Sequence, residues 1–501
     1  MSKMLLKFLP FTQARKEQNE KRVWDESPKV EKPILRVDEK PKHWYETLLY
    51  AWQMSLVNIS PFILPLVVVA AVGLPAEAGA IWVNRALFTM AIAIFIHTTI
   101  GTRFPLVQGP SSIMVASASS VGAASGAAAM WGAMFAGAIS QTAIGLLGLP
   151  GLLRKLFPVA VSGVIITAIG FALGRLAVTW MIGDGSTTNW ILAGLVIALI
   201  FFFQTVGRRI HPLLARGSIA AAVFLVGIVL ASIMGVMNWN LVAEAPWFAV
   251  PRLFPEGGPG FGWTFVGVAF VGIMIGLVGS MAESLGDYSV IAAICDEEYK
   301  VKHMNRGVAS EGLECLVAVM FGGLPMTSYS QGVGIVAQTR IASRFVVQMC
   351  AVIMGLYGLS PKVGAFMVAM PRSVIGAVFL IVSASILMAG FRLLSNIKPT
   401  TANISVVGFS LLAAVLIPPQ VNSPALAEFR ESLPALVRLV LTDTALLAVV
   451  SSIIIYQIIN TIFRGINEEK EYDENERARK ERIALQEAEA AGLAVAEVPV
   501  E

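Results

Sequence analysis

From Trp44 to Phe463 the sequence is a succession of apolar runs, most of them near the length that carries a helix across a bilayer core, about 20 residues. That feature leaves few folds open. In hydrocarbon every backbone N–H and C=O must be satisfied within the protein, so runs of this length have to be helices. The count comes to about fourteen by that length rule. The first group covers 45–74, 79–100, a broken 105–121, 124–149, 158–182, 190–206 and 218–237. A loop rich in Trp, Pro and Gly follows at 238–262, and the second group covers 263–294, 307–323, a broken 325–338, 345–370, 373–394, 404–418 and 439–463. The broken span comes third in each group. The organisation expected is a polar tail over 1–43, a transmembrane part over 44–463 in two halves (44–237 and 263–463), and a second tail over 464–501.

Composition agrees. Hydrophobic residues make up 56% and charged residues 14% of the chain, where soluble domains carry roughly a quarter charged. The net charge of +4 is too small, and its cations too scattered among loops and tails, to point to nucleic acid. Cys295, Cys315 and Cys350 lie far apart in or beside apolar runs, which suggests neither a disulfide framework nor a zinc site. No short apolar leader with a cleavage site opens the chain. Residues 1–43 alternate Lys/Arg with Asp/Glu around Pro28, Pro33 and Pro41, too polar to bury a core of their own, with a short amphipathic helix expected at 4–11 against the membrane surface. The tail from 464 has charges at helical spacing and reads as exposed and partly helical.

Orientation follows from the loop cations. With the N-terminus inside, Arg103, Arg154, Lys155, Arg208, Arg209, Arg216, Lys300, Lys302, Arg306, Arg340, Arg344, Arg392 and Lys398 all fall on the cytoplasmic side. The other side holds few cations, Arg252, Arg372 and Arg430. Both termini are then cytoplasmic, in the cell membrane.

The broken spans read Gln108-Gly109-Pro110-Ser111-Ser112 and Ser330-Gln331-Gly332-Val333-Gly334. Non-helical backbone at membrane depth survives where it is buried in protein or lines a wet cavity. Matched interruptions in two halves are the mark of an inverted-repeat transporter, with half-helix N-termini aimed at a site near the midplane. Glu283 and Asp287 are four apart in the eighth span, on one helical face. Two like carboxylates in a partly desolvated place are hard to ionise together, which suits a proton-coupled binding group. Glu311 and Glu314, three apart in the ninth span, are expected to be structural, against Arg306 or a neighbouring helix end.

Three linked segments resemble one known family: Glu283-Ser284 with Gly286-Asp287-Tyr288, then Asn305-Arg306-Gly307 with Glu311-Gly312, then Gln331, Gly334 and Thr339-Arg340. They look like the nucleobase/ascorbate transporters, the uracil–xanthine permeases, over about 44–463. The resemblance implies fourteen spans in two inverted repeats of seven, a core domain moving against a gate domain, dimerisation through the gate, and proton symport in microbial members. It also implies that Glu283 is the binding carboxylate and that Gln331 contacts substrate. A nucleobase offers adjacent N–H donors and carbonyl acceptors, so a carboxylate with a carboxamide matches it edge to edge. Backbone amides near Ser111, Ser112 and Gly332, together with Gln53, complete the expected substrate site, while Asp287 ties the core together or relays protons.

This sequence departs from the family pattern at three places. Gly332 stands where the signature usually has Asn, Met54 follows Gln53 where the family has His, and Ser112 stands where an aromatic is usual. Gln at 331 resembles the purine branch, which carries xanthine or uric acid, more than the uracil branch. His303 and His211 lie in expected cytoplasmic loops and do not replace the missing histidine. A small-anion carrier of the same architecture would need a cation in the site. A channel would need charged rings or a filter, and an intramembrane enzyme would need a metal or nucleophile motif; the spans carry neither. No cofactor is expected.

Overall fold

The computed structural model describes residues 20, 32–58, 60–151, 158–210, 218–255, 260–395, 397–462, 471, 472 and 474. The expected helix at 4–11, most of the tail from 464, and Arg154, Lys155, His211 and Arg216 lie outside the described residues.

In the first half the chain forms α1 (Trp44–Val57), α2 (Ser60–Ala71), α3 (Ala76–Thr99), β1 (Gln108–Pro110), α4 (Ser112–Ser125), α5 (Ala127–Leu147), α6 (Val159–Ile182), α7 (Thr187–Gly207), α8 (Ser218–Ile233) and the short α9 (Trp239–Glu244). The second half gives α10 (Gly267–Ile294), α11 (Val301–Met320), β2 (Met326–Ser328), α12 (Ser330–Thr339), α13 (Arg344–Gly358), α14 (Pro361–Ala369), α15 (Arg372–Leu394), α16 (Thr401–Val421), α17 (Ala427–Ser432), α18 (Ala435–Thr442) and α19 (Thr444–Ile462). Among the described residues seven helices are long and apolar enough to cross a membrane, and two bent pairs bring the number to nine. The protein is a multi-pass membrane protein.

Three spans expected to be continuous are broken, each for a local reason. The run at 45–74 splits into α1 and α2, where Asn58 turns its side-chain amide back onto the Met54 carbonyl at 2.7 Å. Pro65, inside α2, also withholds a backbone donor. The run at 345–370 bends by 73° between α13 and α14, and Pro361 starts the new helix at a first-turn position, where a missing N–H costs nothing. The run at 439–463 bends by 102° between α18 and α19. There Asp443 is extended (φ −116°, ψ 125°) and its carboxylate accepts the Leu446 N–H at 2.7 Å, capping α19.

Packing falls into two groups. In one, α3 lies against α13, α11 and α2, and α5 against α11, with α10 packed on α4 and α5. In the other, α6 lies against α15, α16 and α19, and α7 against α15. The helix α10 also touches α18 and α19 across the boundary.

The end of the expected N-terminal tail is held down. Leu35 pairs in parallel with Ile341. The Ile34 N–H donates to the Arg340 carbonyl at 2.8 Å, and Ala342 N–H returns a bond to Leu35 at 2.9 Å. Asp38 Oδ1 forms an ion pair with Arg344 Nε at 2.8 Å, and the Glu20 carboxylate meets Lys302 and Lys300 at 2.8 and 3.0 Å. A segment too polar to build a core can still add its backbone to an open edge of another element.

Candidate functional site

The site is built where the two broken spans meet. β1 and β2 form an antiparallel ribbon with Gln108 opposite Ser328, Gly109 opposite Thr327 and Pro110 opposite Met326. Ser111 N–H to the Pro325 carbonyl and Tyr329 N–H to the Val107 carbonyl, both 2.9 Å, extend it at each end. Every ribbon residue is buried, so the ladder is what satisfies backbone that could not persist in lipid. Each strand then turns into a half-helix. Ser111 caps α4 by accepting the Met114 N–H at 3.3 Å, and α12 begins after Tyr329. Two helix N-termini, each worth about half a positive charge, therefore start at the same ribbon.

The ribbon is sewn to α10 along one helical face. Ser280 shares a hydrogen bond with Ser111 at 2.9 Å, and Ser284 shares one with Thr327 at 2.8 Å. Asp287 accepts from Ser328 Oγ at 2.9 Å and from Ser330 Oγ at 2.8 Å. Residues spaced by three and four lie over one another on a helix, so this stripe grips both half-helices. From α11, Glu311 accepts the Ser328 N–H at 3.2 Å.

Glu283 and Asp287 thus differ in employment. Both Asp287 oxygens are taken by serine hydroxyls. Glu283 is half-buried, and its Oε2 is buried with no partner among the described residues. Gln331 is half-buried on the first turn of α12, which packs against α10. Gly332, behind it, lies so close to α4's approach segment that a β-carbon would sit 3.1 Å from Val107 Cβ. The glycine in place of Asn permits this approach of the two broken spans. Ser111 and Ser112 are buried at the start of α4. Gln53 and Met54 are buried on α1, which packs on α12 and α13.

Several residues escape sequence reasoning. Gln108 is fully buried with neither amide atom partnered among the described residues, and the register puts it on the same face as Ser328. Of the two partners expected for the α11 carboxylates, Arg306 is not one, since it donates to the Ile100 carbonyl at 2.9 and 3.1 Å; Glu314 meets His97 at 3.1 Å, on the last turn of α3, a neighbouring helix end. The signal was present, since His97 is an ionisable residue inside an apolar run. Asp443, inside the last apolar run, accepts from Ser120 of α4 and so joins the two packing groups. Arg85 in α3 and Arg175 in α6 are intramembrane cations. Arg85 packs beside Gly322, and Arg175 lines a cavity of about 420 Å³ with Gly170, Leu380 and Ser383.

A family model described as the permease family matches residues 45–422. This chain belongs to that family, the nucleobase/ascorbate transporters. The uric acid transporter UacT of Escherichia coli K12 is 27% identical over 418 residues, 80% of this chain and 82% of its own. The uric acid permease PucK of Bacillus subtilis is 29% identical over 384 residues, 73% and 86%. In fold, the permease resembles the transmembrane domain of the cyanobacterial bicarbonate transporter BicA, with TM-score 0.55, 15% identity, and coverage of 83% of this chain and 99% of that one. The permease is a transporter and not an enzyme.

Proposed function

We propose that this permease carries a nucleobase, a purine such as xanthine or uric acid, across the cell membrane together with protons. The observation that carries the reading is the half-buried Glu283 carboxylate, one oxygen of which has no partner among the described residues, on α10 directly beside the ribbon from which two half-helices start. A protonatable carboxylate holds the N–H edge of the base, and the Gln331 amide, donor and acceptor at once, holds the opposite edge. Backbone N–H groups at Ser112 and Gly332, on the first turns of α4 and α12, face the carbonyl oxygens with the helix dipoles behind them, the Ser111 N–H being held by the Pro325 carbonyl, and Gln53 closes the site from α1. Asp287 holds β2 and the start of α12 against α10. The names of UacT and PucK, both uric acid carriers, support a purine over uracil, as does Gln at 331.

The antiparallel pairing of β1 with β2 supports fourteen spans in two inverted repeats. The two packing groups support a core that moves against a gate, with residues 44–237 and 263–463 as the repeats, both termini cytoplasmic and a homodimer through the gate. A small-anion carrier of this fold would bring a cation to the half-helix N-termini. Among the described residues, Arg85 and Arg175 lie beside Gly322 and the α6 cavity instead.

Uptake of labelled xanthine, uric acid, uracil and ascorbate into cells lacking their own permeases tests the reading, with and without a proton uncoupler. Uncoupler-sensitive purine uptake, lost in Glu283→Gln, is expected. Entry of uracil or ascorbate alone, or purine uptake indifferent to the uncoupler, overturns it.

A further inference from the structure

Behind the substrate carboxylate lies a second titratable cluster. His97, on the last turn of α3, places Nδ1 3.1 Å from Glu314 Oε1 and 3.2 Å from Ser310 Oγ. Both His97 and Glu314 are 0% exposed, and His97 Nε2 and Glu314 Oε2 have no partner among the described residues. An imidazole and a carboxylate sealed in together form a neutral unit when they share one proton. Losing it leaves a buried anion, and gaining another leaves a buried cation, each costly away from water. Such a pair holds one proton firmly and can pass it on.

The groups around it are few. From α10, the Tyr288 ring lies 5.4 Å from the imidazole. From α11 come Glu311, one turn from Glu314, and Arg306, which is spent on the Ile100 carbonyl. From α13, Gln348 donates to Thr98 at 3.2 Å, next to His97 in the chain. A row of titratable and hydrogen-bonding groups, one helical turn apart where no hydrogen bond joins them, begins with Glu283 and Asp287 on α10. It continues through Ser328, whose hydroxyl serves Asp287 and whose N–H serves Glu311, and on to Glu314 and His97. The series ends near the end of α3 that the loop cations assign to the cytoplasm.

We propose that His97 and Glu314 are a proton-holding station of the coupling machinery, which receives the transported proton from the Glu283 side by way of Glu311 and releases it toward the cytoplasm. One proton arrives on Glu314, one passes from Glu314 to His97 Nδ1 and one leaves Nε2, so the pair keeps its charge, and return of the imidazole to its first tautomer resets it for the next cycle. The inference rests on the proton-symport reading.

The test uses the full-length permease in liposomes with labelled uric acid or xanthine and two assays: accumulation driven by an imposed pH gradient, and exchange of external labelled for internal unlabelled substrate at equal pH. Exchange needs substrate translocation but no net proton release. In Glu314→Gln, which keeps the side-chain volume and a hydrogen bond to His97, and in His97→Asn, accumulation is expected to fall about a hundredfold, the low end of what losing a positioned proton-transfer group costs, while exchange persists. Accumulation that stays normal in Glu314→Gln overturns the inference, as does parallel loss of both assays in that variant, the mark of a structural pair. Should His97→Asn fail to insert, Glu314→Gln decides alone. A wild-type protein whose accumulation ignores the pH gradient overturns the symport reading itself, and this inference with it.

Discussion

Glu283 and Asp287 sit one helical turn apart, yet their neighbours separate their work. Replacing Asp287 with Asn removes an acceptor from one of two serine hydroxyls. That loss is expected to cost about 1–3 kcal/mol, read as a lower melting temperature in detergent along with lost uptake. Glu283→Gln should leave melting unchanged and remove uptake, because its buried oxygen supports no contact among the described residues. Gly332→Asn, which restores the family's usual residue, drives a β-carbon to 3.1 Å from Val107 Cβ. Overpacking of this kind costs about 1–3 kcal/mol, so uptake and melting temperature should both fall and recover in part when Val107→Ala is added. The two α10 carboxylates were legible because charge inside an apolar run is conspicuous. Which of them has an oxygen without a partner among the described residues was not, because that depends on Ser328 and Ser330, more than forty positions on in the chain.

The broken spans were readable as elements from their Gly, Pro and Ser residues. Their pairing into a ribbon was not, since each strand is three residues long and carries no alternation to read. The bend at Asp443 was missed for a similar reason: a lone Asp in an apolar run does not announce that it caps a new helix. The N-terminal strap belongs to this scale too. Residues 34–38 cover the 340–344 segment, so a chain lacking residues 1–39 is expected to be cut by trypsin at Arg340 and Arg344 where the full chain resists. Equal cleavage of both forms would show that the strap protects nothing.

Across the whole molecule, Ser120 of α4 donates to Asp443 at the α18–α19 bend, a polar contact between the two packing groups. If transport moves one group against the other, this contact opens in each cycle. A protein with Ser120→Cys and Asp443→Cys should then lose uptake on oxidation and regain it on reduction, while the buried Cys295, Cys315 and Cys350 leave the parent insensitive. Uptake that persists with the cross-link formed would mean the groups need not part there. The sequence by itself determined that the chain is a bundle of membrane helices interrupted twice at matched places, because hydrocarbon rejects unpaired backbone and the length of each apolar run is set by the bilayer. Only the tertiary structure decided which buried polar groups hold one another and which have no partner among the described residues. A side chain's partner in this fold comes from a different helix, and spacing along the chain says nothing of who stands opposite: Ser280 with Ser111, Asp287 with Ser328, and Glu314 with His97.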